Sequence, residues 1–308
     1  MPPRANNYLK ALPYSSPKWY NPTPMKPNQT DHNRQKKAAV INDYSSFGRC
    51  SLAVAAPLLS AMRVQCCPVP TAIFTNHTGF ETFSWADCTD RMDAYINDWL
   101  AIGLRFSAIA SGFLASEKQL DFVLRFVQKF GGEDTLVMID PVMGDYGRLY
   151  RTFHPEVAAG MRTLLDVADV MTPNLTEACI LSGRPYDPKI SESELSGLSA
   201  ELCLTRPKDV VISGIEHGGE LLNFVRSRTG DIDVFSVPKI GADRSGTGDV
   251  FATVILGALI NGEPMAKAVR RAARFVSASV NRAEEMRLPL TDGLPMEETL
   301  PLLWSETE

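Results

Sequence analysis

The sequence predicts an α/β protein: a three-layer α/β/α sandwich on a mostly parallel central sheet, with an antiparallel hairpin at one edge. Three observations carry this. From Ala38 onward, short apolar runs alternate with stretches of helical period, as strands and helices do when both faces of a parallel sheet are covered. Polar residues gather just after those runs, where an open parallel sheet binds its ligands. Between residues 220 and 237 the pattern changes to two strand-like runs around Thr229-Gly230-Asp231, a hairpin signal.

Taken in order, Ala38-Ala39-Val40-Ile41 reads as a strand that leads through Asn42, Asp43 and Gly48 into a helix over 50–62 and a strand over 64–69. A helix over 85–100, a strand over 106–110, a helix over 117–130 and a strand over 135–139 follow, the last ending in Asp140-Pro141. Next come a helix over 155–167, a strand over 170–172, helices over 175–181 and 192–204, and a strand over 210–213. The hairpin strands are 221–226 and 232–237. Helices over 246–261 and 265–287 and a short one over 294–304 complete the chain, and no internal repeat is present.

Residues 1–37 differ from the rest. They hold seven prolines and seven basic residues against the single acid Asp31, with no helical or strand period, so a flexible extension is expected ahead of a single domain over 38–308. An organellar transit segment would also be basic and acid-poor, but it would be amphipathic and richer in Arg and Ser. With 44% hydrophobic residues in 308, the chain can bury a full core. Its net charge of -5 and pI near 5.5 give no general attraction to nucleic acid or to an anionic membrane surface. Six cysteines without a CxxC pair and four scattered histidines show no metal-ligand spacing. No apolar run has membrane-spanning length and the N-terminus lacks a secretory core, so a reduced, cytoplasmic protein is expected.

The chemistry centres on residues 241–262. Ser245-Gly246-Thr247-Gly248-Asp249 runs directly into a helical pattern with Val250, Phe251, Val254 and Ile255 on its apolar face. The first amides of a helix have no partners and lie at the positive end of its dipole, so glycines there make a phosphate cradle. A carboxylate at that point repels bound phosphate, which makes sense if Asp249 takes a proton from an attacking hydroxyl. The same spacing also fits a plain Gly-rich turn whose Asp complements the dipole. Other strand ends carry Asn42 and Asp43, Thr75 to Gly79, Ser111-Gly112, Asp140 to Asp145, Thr172-Pro173-Asn174 with Glu177, and Ser213-Gly214. Each alone is an ordinary turn or cap; together with the anion turn they line one edge. Asp140, Asp145 and Glu177 supply the hard oxygens that Mg²⁺ on a nucleotide needs. His77 reads as structural. Phe80, Phe83, Trp85 and Phe113 suit either a pocket for a flat ring or plain core.

Gly246-Thr247-Gly248-Asp249, Asp140-Pro-Val-Met-Gly-Asp145, Thr172-Pro-Asn174-Leu-Thr-Glu177 and Asn76-His-Thr-Gly79 resemble, in order and spacing, the pyridoxal kinases of the ribokinase-like superfamily. The likeness runs from about Val40 to the last helices. It implies transfer of the ATP γ-phosphoryl group to the 5′-hydroxymethyl group of pyridoxal, pyridoxine or pyridoxamine, with Mg²⁺, often a monovalent cation (K⁺ or Na⁺), and a homodimer. By the same resemblance Asp249 is the catalytic base, and Gly246, Thr247 and Gly248 form the anion hole. Asp140, Asp145, Asn174 and Glu177 take the nucleotide and metal positions, Thr172 and Ser213 approach the ATP phosphates and ribose, Tyr150 lies near the γ-phosphate, and Thr78 lies beside the pyridine ring. Two departures stand out: Asp43 where many members have serine facing the ring, and Phe113 where they have tyrosine. An acid at Asp43 could pair with a ring nitrogen or an amine and so alter vitamer preference. The loop from Asp145 to Tyr150 is also shorter than in some relatives, and the β-lid of the sugar kinases is missing. Hydroxymethylpyrimidine kinase of thiamine synthesis is the nearest alternative, and a silent nucleotide- or vitamer-binding protein the alternative from another class; retention of Asp249 with its whole turn argues against the silent reading.

Overall fold

The structure is a computed structural model that describes residues 31–304, apart from 152, 154 and 207. The expected extension over 1–37 falls for the most part outside them. The first half is β1 (Lys37–Ser45), α1 (Ser51–Ala61), β2 (Gln65–Phe74), β3 (Trp85–Asp87), α2 (Thr89–Ala101), β4 (Ala108–Ser111), α3 (Glu117–Phe130) and β5 (Leu136–Ile139). A small ribbon of β6 (Gly144–Asp145) and β7 (Arg148–Leu149) leads to α4 (Pro155–Gly160), which continues as a 3-10 turn. Then come β8 (Val170–Met171), α5 (Leu175–Ser182), α6 (Glu192–Leu202), β9 (Asp209–His217), β10 (Glu220–Arg226), β11 (Ile232–Pro238), α7 (Thr247–Ile260), α8 (Met265–Glu285) and α9 (Met296–Thr299).

Nine strands form one sheet in the order β11-β10-β9-β8-β5-β4-β1-β2-β3. Six neighbouring strands, β9 to β2, are mutually parallel, and the expected hairpin β10–β11 closes one edge antiparallel. Alternation along β1 divides the core. Ala39 and Ile41 face one apolar layer, which includes Phe122, Phe126 and Leu198, while Ala38 and Val40 face the other, with Leu58, Val254 and Ala272. All six cysteines are free, and among the described residues no helix is long and apolar enough to cross a membrane.

The second edge departs from expectation. Residues 85–87 open no helix; they form β3, antiparallel to residues 72–74 of β2, with Trp85 stacked on Phe74 at 5.6 Å. Asp87 then ends the strand and starts α2, its Oδ1 accepting from the Thr89 amide at 2.7 Å. β2 is longer than expected and contains Pro68 and Pro70, which is possible because β3 pairs only with residues 72–74 and leaves that side of β2 open. β1 also runs past Asp43, resuming after an irregularity to pair Tyr44 and Ser45 with Ile73 and Phe74.

Candidate active site

The chain leaves β1 for β2 on one side and returns to β4 on the other, so a crevice opens at the carboxyl ends of β1 and β4. The start of α7 stands over it. Gly246 precedes that helix with φ +78°, and a Cβ there would lie 2.0 Å from the Arg49 carbonyl oxygen, so only glycine fits. No side chain caps the helix, which leaves its first amides to an incoming anion. The Thr247 hydroxyl instead donates to the Arg244 carbonyl at 3.2 Å.

Asp249 is half-buried in the first turn of α7 and held from two sides. Asn42 Nδ2 donates to its Oδ1 at 3.3 Å, and the Ser51 amide, at the start of α1, lies near enough to favour the charge of the same carboxylate. Burial nevertheless raises its pKa above the ordinary carboxylate value, which makes it the stronger base. Asn42 cannot turn round, because its Oδ1 accepts the amides of Asp43 at 2.9 Å and Phe113 at 2.8 Å. Gly112 makes room for it, since a Cβ there would come within 2.5 Å of the Asn42 amide. Asn42 and Ser51 had no assigned role in the sequence. Asn42 was visible only as one polar strand end among several, and nothing local pointed to Ser51.

Asp43 is turned toward the start of α1. Its Oδ1 accepts the Ser51 hydroxyl at 2.6 Å and its Oδ2 the Ser45 hydroxyl at 3.1 Å. Burial pushes its pKa up to about 7, and the charge of Asp249 adds to the shift. Ser51 thus joins both carboxylates, Asp249 through its amide and Asp43 through its hydroxyl, while held at φ +52°.

The nucleotide-side residues come together around the end of β5. Asp140 has its pKa pushed up to about 8 by burial and by the charge of Asp249. Glu177 is buried and braces two loops: Oε1 accepts the Met143 amide at 3.0 Å, and Oε2 accepts the Asn174 amide at 2.9 Å in a capping box. Burial and the Asp140 charge hold its pKa well above the usual range. Asn174 Nδ2 reaches the Gly144 carbonyl at 2.8 Å, and the Ser213 amide reaches the Pro173 carbonyl at 3.0 Å, which sets Asn174 and Ser213 side by side. Asp145 accepts the Tyr146 amide at 2.8 Å, and its pKa too is raised by burial. Burial raises the pKa of Tyr150, and the charges of Glu177 and Asp145 add to the shift.

On the opposite side of the crevice the expected ring contacts divide. Thr78 is half-buried in the turn after β2, whereas Phe113 puts its ring into the core, edge-on to Phe74 at 6.0 Å. Its backbone, held by Asn42, is what borders the site. A cavity between the sheet and α7 is lined by Asn42, Ser111, Asp140, Asp249 and Thr253. The Ser111 and Thr172 hydroxyls are buried without a well-formed hydrogen bond, Thr172 close enough to Asp140 to hold its pKa down slightly. Orphaned hydroxyls beside mutually repelling carboxylates suit a cation-bearing phosphate ligand. Among the described residues, no three His, Cys, Asp or Glu side chains converge closely enough to ligate a metal by themselves.

Comparison with known proteins agrees with this geometry. A pyridoxine/pyridoxal/pyridoxamine kinase of Bordetella pertussis is 26% identical over 247 residues, 78% of this chain and 86% of that one. The crystal structure of a candidate phosphomethylpyrimidine kinase of Bacteroides thetaiotaomicron, in a form with pyridoxal, superposes with a TM-score of 0.86 at 34% identity, covering 89% of this chain and 98% of that one. The pyridoxal kinase of Lactobacillus plantarum superposes with a TM-score of 0.81 at 26% identity, over 87% and 96% of the two chains. The model of the phosphomethylpyrimidine kinase family matches residues 58–290, and with a kinase fold and an anion turn followed by Asp249 in place, the chain belongs to that family of vitamin kinases.

Proposed function

We propose that the chain transfers the γ-phosphoryl group of ATP to the 5′-hydroxymethyl group of pyridoxal, pyridoxine or pyridoxamine. The observation that carries this is the Asp249 carboxylate, fixed by Asn42 and Ser51 beside the uncapped start of α7. The vitamer hydroxyl gives its proton to Asp249 while its oxygen forms a bond to the γ-phosphorus. The bond from that phosphorus to the bridging oxygen breaks, and ADP leaves with the electron pair. The amides of residues 247–249 hold the transferring group, whose charge grows where the helix dipole favours it. Asp140, Asp145 and Glu177 would hold Mg²⁺ through its water shell, and the ion would supply charge neutralisation on the ATP phosphates. A K⁺ or Na⁺ ion belongs to the same proposal, with the orphaned Thr172 hydroxyl as supporting observation. Thr78 receives the ring. Asp43, committed to Ser45 and Ser51, acts by holding the start of α1.

The vitamer kinases among the relatives support this substrate, as does the pyridoxal in the Bacteroides structure. The family description, phosphomethylpyrimidine kinase, and relatives described as hydroxymethylpyrimidine/phosphomethylpyrimidine kinases support hydroxymethylpyrimidine as the second reading. We place the reaction in a reducing compartment, the cytoplasm, supported by six unpaired cysteines. We take the working unit to be a homodimer, supported by exposed Ile73 and Trp85 at the β3 edge. ADP release measured with each of the three vitamers and with hydroxymethylpyrimidine tests the substrate. The highest kcat/KM belongs to a vitamer; a higher value for hydroxymethylpyrimidine would overturn the assignment.

A further inference from the structure

Residues 288–293, the stretch after α8 that includes a 3-10 turn over Leu290–Asp292, present five successive backbone carbonyls to three different loops of the site. Arg244, two residues before Gly246, donates from Nη1 to the carbonyls of Leu288 at 3.0 Å and Pro289 at 3.1 Å. The Ser245 amide donates to that of Leu290 at 3.4 Å. His77, in the turn that carries Thr78, lies 2.7 Å from the Thr291 carbonyl through Nε2. Its Nδ1 accepts the Gly79 amide at 3.1 Å, so Nε2 carries the proton and donates. Arg49, in the loop leading into α1, gives the Asp292 carbonyl both its amide at 3.3 Å and its Nη1 at 3.1 Å.

The anion turn, the loop before α1 and the turn after β2 lie far apart in sequence, and each is irregular. One strip of backbone joins all three. We infer that residues 288–293 set the placement of these loops relative to one another, with Arg244 and His77 as the positioning residues through which they act. Arg244 is suited to this because it is buried, with Nη1 on the strip's carbonyls and Nη2 paired to Glu284 Oε1 on α8 at 2.7 Å, while its Nε is buried without a hydrogen-bond partner. His77 is suited because its two ring nitrogens are both engaged, one within its own turn and one on the strip. Neither side chain touches the reacting atoms. Their effect is on distance: a displacement of about 1 Å between base, anion turn and substrate costs roughly 10²-fold in rate.

The inference rests on the kinase reading, and its test uses paired substitutions. His77→Phe keeps a ring against Phe80, whose centroid is 4.7 Å from that of His77, but removes the donor, whereas His77→Gln keeps a donor. Arg244→Gln removes the charge and most of the donors; Arg244→Lys keeps the charge. In pyridoxal phosphorylation, His77→Phe and Arg244→Gln lower kcat by roughly ten- to a hundredfold. KM for ATP and pyridoxal moves less than about threefold, and the Gln and Lys partners recover part of the loss. Wild-type kcat in folded His77→Phe protein, or His77→Gln no better than His77→Phe, overturns the inference. Should Arg244→Gln fail to fold, the His77 pair decides. Hydrogen exchange of the Ser245 and Arg49 amides, which donate to the strip's carbonyls, reads the same coupling with no substrate present: it quickens in His77→Phe, and unchanged exchange counts against the inference. A wild-type protein that phosphorylated no vitamer would sink the functional reading, and the exchange result would still decide this one.

Discussion

Asp249 combines two properties that usually oppose each other. It is buried enough for its pKa to rise, yet two donors keep its carboxylate aimed at the crevice. Asp249→Asn keeps the shape and removes the base, so single-turnover rates fall by about 10² to 10⁴ while ATP and pyridoxal still bind by calorimetry. Near-normal turnover would end the assignment. Asp43 gives a pH signature instead. Its pKa of about 7 in the folded protein lies above the ordinary 3.8, so the folded state holds the extra proton between those values. Its contribution to stability is complete below about pH 4 and is lost as pH rises through 7. Asp43→Asn removes that share, so wild type loses more stability than the variant between pH 5 and pH 8 in denaturant titrations. Identical slopes would show that Asp43 is not buried as an acid. The resemblance puts Asp43 against the pyridine ring, whereas both of its carboxylate oxygens are taken up by serine hydroxyls at the start of α1 and the end of β1. That direction is set by Ser45 and Ser51, two and eight residues further along the chain, and depends on how β1 turns into α1.

The two glycines of the anion turn look interchangeable in the motif and behave differently in the helix that follows. Gly246 is left-handed, with the Arg49 carbonyl where a Cβ would be, whereas Gly248 has open space around it. Gly246→Ala should therefore lower the melting temperature, because both backbone and contact are strained. Gly248→Ala should leave stability within about 1 kcal/mol and reduce the rate, because the added methyl meets the anion rather than the protein. Thermal unfolding beside initial rates separates the two, and equal melting temperatures would remove the special role of Gly246. A similar limit applied at β3. The helical period over 85–100 was real from Thr89 onward, but Trp85 to Asp87 were captured by β2, and a local period cannot report a pairing partner 13 residues away.

For the whole molecule, the described body begins to be tied together at Asn33, whose side chain donates to the Gly103 carbonyl at 2.9 Å and accepts the Arg105 amide at 2.8 Å. Lys36 reaches the Ile260 carbonyl at the end of α7 at 2.8 Å. A chain starting at Asn33 keeps these contacts and is expected to fold and to retain the kcat of the full chain. A chain starting at Ala38 loses them along with Lys37 of β1 and should be less stable. Expression of both, with melting curves and rates, tests the boundary; insoluble protein from the longer chain would show that the residues before Asn33 are needed.

The sequence by itself determined the layer architecture, the edge hairpin, the anion turn and the strand-end residues, because each is written in local period and local chemistry. Only the tertiary structure decided which of those polar groups meet. The Asn42 grip on Asp249 spans 207 residues, the double role of Ser51 depends on α1 pointing at α7, and the strip over 288–293 serves three loops with backbone carbonyls, which every residue type carries alike. Backbone acceptors leave no mark in composition or spacing, so their use as a common brace becomes visible only when the chain is folded.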